Sequence, residues 1–211
     1  MKKTVVLVVL FVLPLVAYLF FASGVNNFGK LPVLTQDVPD IGELDSKVSL
    51  NDKITILGFL GWNVDQRKGN AFNLNQKIYK RFDGFNDFQV LMVVPSGTEE
   101  KVNALKKELG TLSGTENWNF AFGTEAQIKT FFAGLGTNES LDGTLFTPYV
   151  FIVDKERNLR GRNDDVDEGL KFGFNTSSVA DLNNKMEDDV KIILAEYRLA
   201  LKKNNADRSN Q

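Results

Sequence analysis

From residue 53 onward, two kinds of hydrophobic pattern take turns along the chain. KITILGFL and DFQVLMVVP are continuous apolar runs, typical of strands buried on both faces, and WNFAF alternates apolar and polar residues. Between these runs, apolar residues recur at spacings of three and four, which predicts helices. The helical positions are Ala71, Leu74, Ile78 and Phe82 in one segment and Val102, Leu105 and Leu109 in the next.

Local polar residues indicate where the later helices begin. Thr98 is a predicted helix cap, and Thr124 with Gln127 forms a predicted capping box for a short helix through Phe132. PYVFIVDKERNLRGR is typical of two strands joined by a tight turn at residues 155–158. Alternating strands and helices followed by a hairpin and a last helix predict an α/β domain, a mixed sheet with helices on both faces.

The last helix is long and amphipathic, from Ser178 to about Lys202. Its apolar stripe continues for about 35 Å, which exceeds what one helix needs to cover a small sheet. We expect its first half to pack on the domain. The second half, Ile193 to Leu201, either projects and meets a partner or a second copy, or runs along the full length of the sheet.

The first segment opens with Lys2 and Lys3 and then stays uncharged from Val5 to Ala22. Eighteen helical residues span roughly 27 Å, close to the hydrocarbon thickness of a bilayer. We therefore predict one transmembrane helix in residues 1–24, with the lysines in the cytoplasm and the rest of the chain in the periplasm. The alternative is a cleaved signal peptide, since residues 22–24 are a tolerable cleavage site.

The remaining boundaries follow from composition. Residues 25–47 are rich in Asn, Gly, Pro and Asp and are predicted to form an extended linker. We assign residues 48–202 to the α/β domain and residues 203–211 to a disordered tail. The formal net charge of −2 gives the chain no electrostatic reason to bind nucleic acid.

Missing residue types limit the chemistry. The 211 residues include no Cys and no His. This excludes thiol redox chemistry, imidazole bases and the usual nitrogen and sulfur ligands of zinc and copper. Catalysis would have to use carboxylates, Lys, Arg, Tyr or hydroxyl groups.

Several stretches resemble the thioredoxin-like fold and, more narrowly, the SCO/SenC branch of copper chaperones that assist cytochrome oxidase assembly. ITILGFLGW is similar to that family's first core strand and active loop, NWNFAFGTEAQI to its Trp-x-Phe segment, and VFIVDKERNLRGR to its hairpin. The resemblance covers roughly residues 31–195. It implies a copper site made of two cysteines and a distant histidine.

In this chain the implied cysteine positions fall near Asn63 and Arg67, and the histidine position falls near Phe146 or Thr147. All three ligands are absent, so we expect no metal, no cofactor and no disulfide exchange. The loop instead carries Trp62, Asn63, Asp65 and Arg67. Trp62 is interpreted either as a structural lid on the end of the sheet or as part of a contact surface for a partner.

Two further features carry predictions. The resemblance implies a cis bond between Thr147 and Pro148, and a trans Pro at the start of a strand is the alternative. Residues 163–169, NDDVDEG, have alternate acidic positions, but the glycine falls one place late for an EF-hand and no closing Glu follows. We interpret this stretch as a solvated acidic turn.

The sequence thus predicts a membrane-anchored binding protein that resembles the SCO-like framework but lacks its redox residues. The resemblance implies an accessory role in respiratory-complex assembly. Its partner would meet the Trp62 loop or the C-terminal helix. The alternatives are an enzyme that uses Asp65, Arg67 and Thr147, and a secreted binding protein.

Overall fold

The computed structural model describes residues 2–22, 29–45 and 47–208. The strands in these residues are β1 Val33–Thr35, β2 Ile54–Phe59, β3 Phe88–Pro95, β4 Trp118–Gly123, β5 Tyr149–Val153, β6 Leu159–Arg160, β7 Arg162–Asp165, β8 Gly169–Lys171 and β9 Gly173–Asn175. The helices are α1 Lys2–Ala22, α2 Lys68–Leu74, α3 Lys80–Phe82, α4 Glu99–Gly110, α5 Glu125–Ala133, α6 Val179–Asp181 and α7 Glu187–Arg208. One π-helical segment joins α2 to α3 and another joins α6 to α7, at Asn75–Tyr79 and Leu182–Met186.

The main sheet has the strand order β1-β6-β5-β2-β3-β4, and β9 extends it beside β5. β2, β3 and β4 run parallel, whereas β5 is antiparallel to β2. A parallel βαβ unit followed by an antiparallel hairpin and a C-terminal helix is the arrangement of the thioredoxin-like fold. β7 and β8 form a separate two-stranded ribbon.

The two faces of the sheet are covered by different helices. One face packs against α2, α3, α4 and the start of α7, where Trp118 is the largest buried side chain. The other face packs against α5 and the chain that precedes β2. The predicted mixed sheet with helices on both faces is therefore confirmed.

One predicted cap is present and the other is not. The side chain of Thr124 accepts a hydrogen bond from the Gln127 N–H, and the side-chain oxygen of Gln127 accepts one from the Thr124 N–H, which confirms the capping box. The Thr98 side chain makes no cap bond. Its hydroxyl donates to the Pro95 carbonyl instead, at 2.7 Å, because the residue closes the turn that leaves β3.

The predicted linker is in part a component of the domain. Leu31, Val38 and Ile41 are buried, and β1 pairs with β6. These side chains follow neither a helical nor a strand period, so the sequence pattern did not reveal that they enter the core. The folded domain begins at residue 31 rather than at residue 48.

The C-terminal helix packs along the domain as far as Tyr197. Val190 and Ile193 are fully buried, and Tyr197 packs against the same core, whereas Leu199 is 38% exposed. α7 continues to Arg208, so residues 203–208 are helical where we predicted a disordered tail. No Gly or Pro follows Lys202 to end the helix. The last three residues of that predicted tail lie outside the described ones.

The first segment is helical, as α1, and contains Pro14. Its described apolar side chains are exposed, among them Leu10, Phe11 and Leu13. Among the residues that the structure describes, no helix has both the length and the apolar character needed to cross a membrane. The transmembrane part of the predicted fold class is not supported by this finding.

Candidate functional site

A tight contact fixes the loop that follows β2. Gly61 has a φ of +64°, and a Cβ atom at this position would lie 2.2 Å from the Thr144 carbonyl oxygen. Leu60 forms an isolated antiparallel bridge with Phe146, and the Trp62 N–H donates to the Thr144 carbonyl at 3.0 Å. Only glycine allows this close approach. The loop is therefore joined to residues 142–147, which come more than 80 positions later.

Arg67 lies over the ring of Phe146. The residues from Val64 to Arg67 form one turn of 3-10 helix, which the fully buried Val64 holds against the core. The guanidinium carbon of Arg67 is 3.9 Å from the ring centroid of Phe146, a cation–π contact. Its Nη2 is 3.5 Å from a carboxylate oxygen of Asp142, and its buried Nε has no hydrogen-bond partner. Arg67, near which the resemblance implies the second cysteine, thus lies directly above Phe146, near which it implies the histidine.

Asp142 shapes the turn that presents Phe146. Its Oδ1 accepts hydrogen bonds from the Thr144 N–H and hydroxyl, both at 2.7 Å, and from the Phe146 N–H at 3.0 Å. Burial raises the pKa of Asp142, but these bonds and the charge of Arg67 outweigh it and lower the pKa below its ordinary value. Asp142 was not among the site residues predicted from the sequence. The signal was Asp-Gly-Thr at residues 142–144, a pattern typical of a side-chain-stabilised turn.

The donor atoms near this loop do not fit copper. In the described residues there is no group of three or more acidic, Cys or His side chains that could hold a metal ion. Cu(I) prefers soft sulfur atoms, and the methionines among the described residues, Met92 inside β3 and Met186 in the second π-helical segment, are both buried in the core. Met1 lies outside the described residues. The guanidinium of Arg67, at one of the implied ligand positions, repels any cation.

Trp62 is partly exposed rather than packed as a lid. Its exposed fraction is 41%, and it belongs to neither of the two core clusters. Its backbone is held on both sides, since its carbonyl is 3.5 Å from the Nζ of Lys101. An exposed indole on a fixed backbone is suited to contact with another molecule.

The other two loop residues do not join Arg67. Asp65 pairs with Lys68 at 3.4 Å, and Lys68 also binds Glu108 at 2.6 Å. The Asn63 carbonyl accepts a hydrogen bond from the Gln66 N–H, and the Asn63 side chain makes no cap bond. The four predicted loop residues are therefore close in sequence but face different partners.

The predicted cis bond at Pro148 is wrong. No cis peptide bond occurs in the part of the chain that the structure describes. The Thr147 N–H donates to the Phe59 carbonyl at 3.4 Å, which continues the antiparallel pairing of Leu60 with Phe146 into β5. An extended chain with trans geometry makes this pairing, and Pro148 stands before the strand, where it removes no needed donor.

The space behind the loop is filled. A cavity of about 10 Å³ lies beneath Leu60, Phe146 and Thr147, with Asn70 and Thr176 at its side. This volume holds no more than one water molecule. Thr147 lines the cavity, but neither Asp65 nor Arg67 does. The three groups considered for catalysis do not meet in a pocket.

The acidic turn at residues 163–169 is held by basic side chains. The carboxylate of Asp165 is buried and lies 2.7 Å from the Nζ of Lys185, which also binds Asp167. Burial raises the pKa of Asp165, but the hydrogen bonds from Lys185 and from the backbone of Asp167 and Glu168 lower it to about 2. The predicted solvated turn is thus in part a buried ion pair.

Strand order, helix placement and loop position together define the class: a thioredoxin-like protein in which Arg67 and Phe146 occupy the positions of the implied ligands. No known family model and no curated protein matches the sequence. The solved structures similar to this chain include thioredoxin-like proteins and copper chaperones of the Sco type.

A thiol:disulfide interchange protein from a Bacteroides species is 20% identical, with 76% of this chain and 91% of that chain covered and a TM-score of 0.48. Copper-bound ScoI from Arabidopsis thaliana is 16% identical over 68% of this chain and 89% of that one, with a TM-score of 0.45. The soluble domain of Sco1 from Bacillus subtilis is 14% identical over 77% of this chain and 97% of that one, also with a TM-score of 0.45. The fold assignment rests on the strand order given above.

Proposed function

We propose that this chain is a binding protein that contacts a protein partner through the surface formed by Trp62 and by Arg67, whose guanidinium covers the buried ring of Phe146. Two observations in this loop carry the proposal: the Arg67 guanidinium lies 3.9 Å from the Phe146 ring centroid, and the Trp62 indole is 41% exposed on a fixed backbone. Trp and Arg are the residue types most enriched among side chains that dominate binding energy. A fixed backbone reduces the entropy lost when such a surface binds.

Binding is favoured over catalysis by the arrangement of the polar groups. Asp65 pairs with Lys68, Arg67 faces Asp142, and Thr147 lines a cavity of about 10 Å³. An enzyme site needs these groups to converge on space for a substrate. The proposed partner surface needs only the exposed face of the loop.

Attachment to the cell membrane, with the domain in the periplasm, is the location we propose. It rests on the printed sequence, in which residues 5–22 carry no charge after Lys2 and Lys3. A cleaved signal peptide would place the same domain outside the cell as a secreted binding protein.

An accessory role in the assembly of a respiratory complex is the biological setting we propose. It rests on the resemblance to the SCO/SenC branch alone, and fold does not determine function. The partner would be a membrane-associated or periplasmic protein, recognised without transfer of copper.

Affinity capture from native membranes tests the proposed surface. The full chain is expected to retain a specific partner that Trp62→Ala loses, with a loss of binding of tenfold or more, about 1.4 kcal/mol or above. Because Trp62 lies outside both core clusters, the variant is expected to keep its fold, which far-UV circular dichroism checks.

Val166→Ala is the matched control. Val166 is 94% exposed at the tip of the β7–β8 ribbon. The substitution therefore removes exposed apolar surface in another part of the domain. The proposal would be contradicted if Trp62→Ala captured the partner as well as the natural chain does. It would also be contradicted if Val166→Ala reduced capture as much as Trp62→Ala does.

A further inference from the structure

The end of the domain where the chain enters has an unusual exposed surface, which we call the entry face. It consists of Lys30, Val33, Phe85, Arg198 and Leu199. Val33, Phe85 and Leu199 are 43%, 46% and 38% exposed. Lys30 and Arg198 belong to no ion pair among the described residues. The entry face therefore combines exposed apolar side chains with unpaired cations.

Two grooves shape the entry face, one on each side of Tyr197. The larger has a volume of about 500 Å³ and is lined by Lys30, Val33 and Leu199. The smaller has a volume of about 180 Å³ and is lined by Phe85 and Arg198. The larger groove is also lined by Asp154 and Glu196, which pair with Arg160, and by Glu156, which accepts a hydrogen bond from the Tyr197 hydroxyl. The smaller groove is also lined by Asp87 and Lys155, which pair with each other. Lys30 and Arg198 are thus the lining cations without an ion pair among the described residues, and with the exposed apolar side chains they suit a surface that presents both hydrocarbon and negative charge.

The entry face and the Trp62 loop lie at opposite ends of the sheet. Ile54, the first residue of β2, binds the Asp87 carbonyl next to Phe85, whereas Trp62 follows the last residue of the same strand. β5 runs antiparallel to β2, so its end at Val153 also lies at the entry end. Six strand residues separate the two ends by about 20 Å.

The chain is fixed to the domain at Leu31. The Leu31 N–H donates to Glu196 at 3.0 Å, and its carbonyl accepts two hydrogen bonds from Arg160, at 2.8 and 2.5 Å. Leu31 comes nine positions after Ala22, the last residue of α1. Nine residues reach at most about 30 Å. A domain of this size has a radius of gyration of about 15 Å and a diameter near 40 Å, so the connection is too short to pass along its full length.

α7 extends in the same direction. Its buried part ends near Glu196, at the entry end, and the helix continues for twelve residues to Arg208. These residues extend about 18 Å beyond the Glu196 contact. Their sequence includes Lys202 and Lys203. Over residues 197–208 the sequence has four basic residues and one acidic residue, a balance that favours anionic headgroups.

We propose that the entry face lies against an anionic lipid surface and holds the Trp62 loop pointing away from the membrane. Val33, Phe85 and Leu199 enter the headgroup region, and Lys30 and Arg198 contact lipid phosphates. This inference rests on the membrane attachment given under the proposed function. It adds a fixed orientation: the partner approaches from the side opposite the bilayer.

Single-cysteine labelling tests the orientation without background, because the natural chain contains no cysteine. Leu199→Cys and Asn63→Cys are labelled separately with an environment-sensitive fluorophore in the full chain. Each is mixed with vesicles of phosphatidylcholine and phosphatidylglycerol that contain bromine-quencher lipids. The probe at 199 is expected to shift to the blue and be quenched, and the probe at 63 is expected to do neither.

Charge reversal identifies the contact. Lys30→Glu with Arg198→Glu is expected to abolish the blue shift at 199, whereas Lys107→Glu, an exposed lysine on α4, is expected to preserve it. Two results would overturn the orientation but leave the membrane attachment intact. One is equal quenching of the probes at residues 63 and 199. The other is an unquenched probe at residue 199 in a chain that sediments with vesicles. A chain that fails to sediment with vesicles overturns both.

Discussion

At the scale of single residues, the strongest electrostatic anchor that we describe is Asp165. Its carboxylate has no exposed surface and accepts a hydrogen bond from Lys185 at 2.7 Å. The folded pKa is about 2, below the ordinary value of 3.8. A carboxylate whose pKa is lowered by folding stabilises the protein at pH values above the unfolded pKa. That contribution is lost as the pH falls through the folded pKa.

Asp165→Asn is therefore expected to lower the free energy of unfolding by about 2 kcal/mol at pH 7. The difference from the natural chain should shrink as the pH falls from about 4 toward 2, because both chains then lack the charge. Urea unfolding at pH 7 and at pH 3 measures it. Asp188→Asn is the control, since that side chain is 61% exposed and pairs only with Lys191. A difference between Asp165→Asn and the natural chain that persists unchanged to pH 2 would refute the assignment.

At the scale of elements, the turn at the end of β2 decides how the candidate site is built. Gly61 and Gly97 both have positive φ angles, +64° and +96°. A Cβ at Gly61 would meet the Thr144 carbonyl at 2.2 Å, whereas one at Gly97 has nothing within 4 Å. The two positions share backbone strain but differ in crowding.

Gly97→Ala is expected to cost about 1–2 kcal/mol of stability, the cost of a left-handed conformation for an alanine. Gly61→Ala is expected to cost more than about 3 kcal/mol, because the Thr144 backbone must also move. It should also detach Trp62 from Thr144, visible as a change in indole fluorescence. Thermal unfolding of both variants measures the comparison. Equal losses of stability would show that the loop does not press against residues 142–147.

Elements with a strong period were predictable from the sequence, and short polar ones were not. β2, β3 and β4 are long enough to form apolar runs, and the helical spacing of Leu74, Ile78 and Phe82 needs no tertiary information. β1 and β9 are three residues each, and the β7–β8 ribbon has the sequence RNDDVDEGLK, so no hydrophobic period identifies them. Their pairing is decided by strands distant in the sequence.

The candidate site was only half predictable for the same reason. The sequence located the loop and the missing ligands at Asn63, Arg67 and Phe146. It did not reveal that Arg67 would cover Phe146, because the two residues are 79 positions apart and no local pattern links them. The trans bond before Pro148 likewise follows from pairing with β2 rather than from its own neighbours.

At the scale of the whole molecule, the fold separates two surfaces. The Trp62 loop stands at one end of the sheet, and the chain enters at the other, where Leu31 binds Arg160 and Glu196. At the Trp62 end, the thioredoxin-like framework carries a loop in which a cation covers an aromatic ring. These side chains, rather than a different fold, are the reason why we expect the chain to bind no copper.

Titration with Cu(I) against a competing chelator tests this claim most directly. The natural chain is expected to bind no copper stoichiometrically, because the guanidinium of Arg67 and the phenyl ring of Phe146 offer no ligand atom to copper. Asn63→Cys with Arg67→Cys and Phe146→His should create a site that binds one copper per chain, since residues 67 and 146 already lie in contact. Circular dichroism confirms that the triple variant is folded. Tight stoichiometric binding by the natural chain, or no binding by the folded triple variant, would contradict the account.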